Sequence, residues 1–106
     1  MAVIDVNEKN FNEKVLKGSE KGLVIVDFYA DWCGPCRALG PLLEVLANEY
    51  NITLARINVD ENPTLASSFE VMSIPNVKFF KNKKIVAEFV GAVPEDYIRK
   101  LIEKTK

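Results

Sequence analysis

The two cysteines of this chain, Cys33 and Cys36, stand three positions apart in DWCGPCR, Asp31 to Arg37, within 106 residues that include no histidine. Three chemistries fit such a pair. The first is a stabilising cross-link, but closing so short a loop constrains the unfolded chain by only about 2 kcal/mol. The second is zinc, whose structural sites take four ligands from Cys, His or carboxylate. One C-x-x-C supplies two of them, so two chains would have to share an ion or carboxylates stand in for thiolates. The third is reversible dithiol-disulfide exchange.

Exchange chemistry gives each sulfur a part. Cys33 closes a strand-to-helix turn, where the first unpaired N–H groups of the helix carry partial positive charge and stabilise a thiolate. That dipole is worth about 0.3 to 1 kcal/mol when exposed and up to about 2 when partly buried, which lowers a thiol of pKa ~8.5 by about one pH unit. An S–H donor from Cys36, one turn along, adds to it. Gly34 lets the backbone turn tightly and leaves the sulfur approachable, and Pro35 fixes φ in the first turn, where its missing N–H is not needed. Cys36 lies further into the helix and is expected to be more buried, with a higher pKa, as suits a resolving thiol. The Cys33 thiolate then attacks a substrate disulfide, a mixed disulfide forms, and Cys36 attacks Cys33 to release reduced substrate. Turnover needs an external electron donor.

The elements that must hold this turn are legible in the apolar pattern. Leu23 to Ala30, LVIVDFYA, is nearly continuous in apolar and β-branched residues, which marks a central strand covered on both faces. From Cys33 onward, Leu39, Leu42, Leu43, Leu46, Ala47 and Tyr50 form a helical stripe, interrupted by Pro41, which removes one intrahelical bond and should kink the axis. Val3 to Val6 alternates like a short strand, and Asn7 could cap a helix with Phe11, Val15 and Leu16 that stops at Gly18. Thr53 to Asp60 is the next strand, and Asn62-Pro63 opens a short helix through Phe69. Val77 to Phe80 and Ile85 to Val90 flank a turn at Asn82 and Lys83 as an antiparallel hairpin, and Pro94 starts a last helix with Tyr97, Ile98, Leu101 and Ile102 on one face. The order β, α, β, α, β, α, β, β, α predicts a single α/β domain over residues 1–106, a mixed sheet with helices on both faces.

Composition narrows the function. Hydrophobic residues make up 48% and charged residues 27% with a net charge of -1, an ordinary globular balance that argues against a nucleic-acid partner. KNKK, Lys81 to Lys84, is the densest basic run and reads as a solvated turn. No apolar run is long enough for a membrane span, and MAVIDVNEKNF lacks a leader pattern, so a soluble cytoplasmic protein is expected; a monomer is expected as well. In a reducing compartment two close thiols are more often catalytic or metal-binding than a staple.

VDFYADWCGPC, Val26 to Cys36, resembles the active-site segment of the thioredoxin family almost residue for residue. The resemblance continues in Pro41, in FFKN before the hairpin turn, in SIPN at Ser73 to Asn76 and in VGA at Val90 to Ala92, and so spans essentially the whole chain. It implies the thioredoxin fold, with a central mixed five-stranded sheet and a C-terminal hairpin plus helix, and a protein dithiol-disulfide oxidoreductase that binds no cofactor. It also implies a redox-active Cys33–Cys36 disulfide, an NADPH- or ferredoxin-linked thioredoxin reductase as partner, and disulfide-containing client proteins. A carboxylate in a doubly covered strand either pairs or raises its pKa, unless it reaches water at a strand end. By resemblance Asp27 lies beneath the disulfide and acts as general base and acid for Cys36, with a raised pKa. By the same comparison Ile74-Pro75 is a cis peptide facing the cysteines, and Ile74, Pro75, Trp32, Gly91 and Ala92 join Gly34 and Pro35 in binding substrate.

Two positions depart from the family pattern. Arg56 stands where many members carry a lysine; it either approaches Asp27, lowering its pKa, or snorkels to the surface. Lys83 replaces the usual glycine after Asn82, which puts the tight I′ turn in question. Two other functions use the same residues: a disulfide isomerase or oxidase, and a redox-independent binding module built on the Trp32 and Ile74 surface.

Overall fold

A run such as Val24, Ile25, Val26 and Phe28 has no polar face to show to water, so the strand it forms must lie inside the sheet. The computed structural model of the chain describes residues 3–106 and bears this out. Met1 and Ala2, which head the stretch read for a leader, lie outside the described residues. The strands are β1 (Val3–Asp5), β2 (Val24–Tyr29), β3 (Thr53–Asn58), β4 (Asn76–Lys81) and β5 (Lys84–Val90). They form one sheet in the order β1-β3-β2-β4-β5. β1, β3 and β2 are parallel, with Asp27 opposite Arg56, while β4 runs antiparallel to β2 and β5 antiparallel to β4.

Side chains alternate along β2 and sort into two layers. Ile25 faces the long helix α1 (Gly34–Tyr50) and the C-terminal helix α3 (Glu95–Thr105), where Leu39, Leu43, Leu46, Ile98 and Ile102 are buried with it. Val24, Val26 and Phe28 face the other way, toward Phe11 and Val15, and Phe69 after the short helix α2 (Pro63–Ser68) packs there. Helices therefore cover both faces, and α1 runs through Pro41 without interruption.

The first helical segment departs from the predicted α-helix. Asn7 Oδ1 accepts N–H bonds from Lys9 and Asn10 at 2.8 and 3.0 Å in the turn that leads in, and not at the helix start, which has no side-chain cap. Asn12–Lys17 winds as a π-helix and Gly18–Glu20 as a 3₁₀ turn. A distant tie holds this ending. Ser19 Oγ donates to the Leu16 carbonyl and accepts from the Lys83 N–H, while the Ser19 carbonyl accepts from the Asn82 N–H. The same tie supports the β4–β5 turn, where Asn82 and Lys83 both take left-handed φ values of 51° and 68°. That is the I′ pattern, reached here with lysine in place of glycine.

Candidate active site

β2 ends at Tyr29, and the chain turns through Asp31 and Trp32 so that Cys33 becomes the N-cap of α1, with φ -85° and ψ 109°. Its Sγ accepts the Cys36 N–H at 3.2 Å, the bond that an N-cap oxygen ordinarily makes. Pro35 sits in the first turn, as expected. The two cysteines are joined as a disulfide with Cα atoms 5.2 Å apart. The expectation of an open Cys33 sulfur needs correction for this form: Cys33 is 4% exposed against 2% for Cys36. Cys33 lies at the helix start, packed with Ala30, Tyr29, Val59 and Ile74. Gly34 and Pro35 remain exposed beside it.

Asp27 shares the face of β2 that carries Ile25 and Tyr29 and is 1% exposed. Arg56 approaches it, donating from Nε to Oδ2 at 3.3 Å, while Oδ1 has no partner. Two influences oppose each other. Burial raises the carboxyl pKa from 3.8 to about 6, and the Arg56 charge and hydrogen bond pull it down without cancelling the rise. Arg56 also keeps part of its side chain in solvent. It shares with Cys36 an open cleft of about 470 Å³, whose wall also includes Tyr29, Gly40, Pro41 and Glu44.

A second wall comes from the loop before β4. Ile74-Pro75 is cis, and Ile74 packs on the cluster of Ala30, Cys33 and Cys36. Gly91 donates its N–H to the Pro75 carbonyl at 2.8 Å with φ 91°, a conformation that side-chain-bearing residues rarely adopt. Cys33, Cys36 and Ile74 are thus brought together, with Pro75 and Gly91 bonded behind them. Ala92 and Trp32 stand outside that cluster, exposed. The Trp32 indole, 68% exposed, is held by its Nε1–H to Asp60 Oδ2 at 2.9 Å.

Asp60, Tyr29 and Gly40 were not singled out by sequence. Asp60 lies 28 positions from Trp32, beyond any local pattern. A signal existed for the others: Tyr29 is two residues from Asp27 on the same strand face, and a glycine within a helix costs about 1 kcal/mol relative to alanine unless packing requires it.

The family model described as Thioredoxin matches residues 2–104. The thioredoxin of Staphylococcus saprophyticus is 41% identical over 106 residues, covering 98% of each chain. That of Chlorobaculum thiosulfatiphilum is 43% identical over 102 residues, covering 94% of this chain and 93% of its own. A solved point mutant of thioredoxin from Halobacterium salinarum superposes with a TM-score of 0.87 at 38% identity, covering 97% of this chain and 89% of its own. With its strand order, its cysteine pair at the start of α1 and these likenesses along nearly its full length, the chain belongs to the thioredoxin family and is a thiol-disulfide oxidoreductase.

Proposed function

We propose that the chain works as a reductant of client-protein disulfides, with Cys33 the attacking and Cys36 the resolving sulfur. The observation that carries the assignment is the N-cap position of Cys33, whose Sγ receives the Cys36 N–H at the positive end of α1. In the reduced chain the Cys33 thiolate attacks one client sulfur. A Cys33–client disulfide forms, and the other client sulfur leaves as a thiolate that takes a proton. Asp27 accepts the Cys36 proton, the Cys36 thiolate attacks Cys33, and the first client sulfur departs as a thiolate that takes up the proton Asp27 gives back. The client gains two electrons and two protons, and the chain is left with its internal disulfide. A reductase linked to NADPH or ferredoxin returns the electrons, which makes the chain an electron carrier.

Clients dock in extended form on Trp32, Gly34, Pro35, Ile74, Pro75, Gly91 and Ala92. In this reading the chain acts as a single-domain monomer in the cytoplasm. Its charge balance supports protein clients over nucleic acid, and among the described residues no helix is long and apolar enough to cross a membrane. Alkylation of the reduced chain across pH tests the two roles. Cys33 is expected to react at neutral pH and Cys36 barely at all; equal rates overturn the assignment. Oxidation of a reduced test protein outpacing reduction of an interchain disulfide would instead mark an oxidase or isomerase.

A further inference from the structure

Arg56 reaches across from β3 to the base of α1, and two neighbours shape where its guanidinium can lie. The Tyr29 ring lies beneath it, with the guanidinium carbon 3.9 Å from the ring centroid, a cation–π distance. α1 brings Gly40 to the same guanidinium, and a Cβ there would stand 3.1 Å from Arg56 Nη2 and 3.4 Å from Cζ. That spacing is tighter than ordinary van der Waals contact, so any larger residue at position 40 forces the guanidinium to give way. Arg56 Nε meets Asp27 Oδ2. Gly40 lies one turn beyond Cys36 on α1, and both line the same cleft as Arg56 and Tyr29.

We propose that Tyr29 and Gly40 form a slot that holds the Arg56 guanidinium against the Asp27 carboxylate, and that both are positioning residues for proton exchange at Cys36. This rests on the reading above that Asp27 exchanges a proton with Cys36. A mid-helix glycine, unfavourable for the helix alone, and an aromatic two residues from a buried acid both follow from it. Arg56 is the charge that acts on Asp27. Asp31, Arg37 and Glu44 face the same cleft from its rim, and Asp5 stands opposite Arg56 in the β1–β3 register.

The consequence has a sign. A guanidinium that gives way by a few tenths of an ångström for alanine at position 40, and by more for valine, lowers the carboxylate less, so the Asp27 midpoint moves up, further for valine. The experiment is a carbon-13 NMR titration of the Asp27 carboxyl in the reduced full chain, with its signal assigned by Asp27→Asn, alongside the pH profile of client-disulfide reduction. Tyr29→Leu is expected to raise the midpoint and Tyr29→Phe to keep it. Gly40→Ala and Gly40→Val should raise it in that order. In an Arg56→Gln background the same changes should do nothing further. Unchanged midpoints in Tyr29→Leu and Gly40→Val, or equal shifts with and without Arg56, overturn the slot. A pH profile that Asp27→Asn leaves unaltered overturns the proton-exchange reading instead, and the titration still judges the slot on its own.

Discussion

Asp27 combines near-complete burial with a half-satisfied carboxyl, and its pKa of about 6 ties stability, and in the proposed function client release, to one proton. Unfolded, the group titrates near 3.8. Between these values the native state binds the proton that the unfolded chain has lost, so stability falls as pH rises from about 4 to about 6 and stays low above. About two pH units of displacement correspond to roughly 3 kcal/mol at neutral pH. Asp27→Asn is therefore expected to stabilise the oxidised chain by roughly 2 to 3 kcal/mol at pH 8, with the difference shrinking toward pH 4, in urea unfolding at both. A constant difference would place the effect elsewhere. Client release should fade below about pH 6 in the parent, where Asp27 already holds its proton. A second buried group has no such use in the mechanism. Asn76 Oδ1 is buried without a partner, and an unsatisfied oxygen costs about 1 to 3 kcal/mol. Asn76→Val, β-branched and in a strand, should raise the urea midpoint by the equivalent of roughly 1 kcal/mol; a lower midpoint would show that the amide has a role in packing.

At the scale of elements, the β4–β5 turn exposes a conflict between sequence and backbone. Lys83 holds φ 68°, where a Cβ costs about 1 to 2 kcal/mol, and Ser19 Oγ holds it there by accepting the Lys83 N–H. Lys83→Gly removes that strain but frees the unfolded chain, leaving a net gain of roughly 0.5 to 1 kcal/mol in equilibrium unfolding. A loss would mean that the exposed Lys83–Glu20 pair, at 3.6 Å, outweighs the backbone term. The hairpin itself was legible because two strand runs flank a two-residue turn, and α1 because its stripe of leucines repeats at helical spacing. Element ends moved by a residue or two, as with Val6 and Asp60, which lie beyond β1 and β3, and with Phe69 and Pro94, which flank α2 and α3 and are not part of them. The π-helical first segment was not legible, since Ser19 is tied to residues more than sixty positions away. The site divides in the same way. Cys33, Cys36 and Asp27 announce themselves by type and neighbours, whereas the choice of Arg56 between Asp27 and solvent depends on the room beside Gly40, which no spacing rule contains.

Across the whole molecule, three stretches distant in sequence meet at one end of the sheet: the Trp32–Cys36 turn, the Ile74-Pro75 loop and the Gly91–Ala92 bend after β5. Topology brings this about, because β2 and β4 are antiparallel neighbours, with Asn76 beside Phe28, and β5 returns with Val90 beside Asn76. Chemistry and docking therefore sit on different residues and can be separated. In the proposed function the exchange uses the two sulfurs, the helix start and Asp27, while an extended client docks on the exposed Trp32 indole, whose Nε1–H donates to Asp60. An aromatic anchor of this kind contributes about 1 to 2 kcal/mol or more to protein recognition. Trp32→Ala is accordingly expected to raise KM for a protein disulfide roughly tenfold, with little change in the rate on a small aromatic disulfide that makes no surface contacts. Asp60→Ala, which frees the indole without removing it, should give a smaller rise in the same direction. Equal losses on both substrates would place Trp32 in the electrostatics of the cysteine pair, and unchanged KM values would remove it from the docking surface.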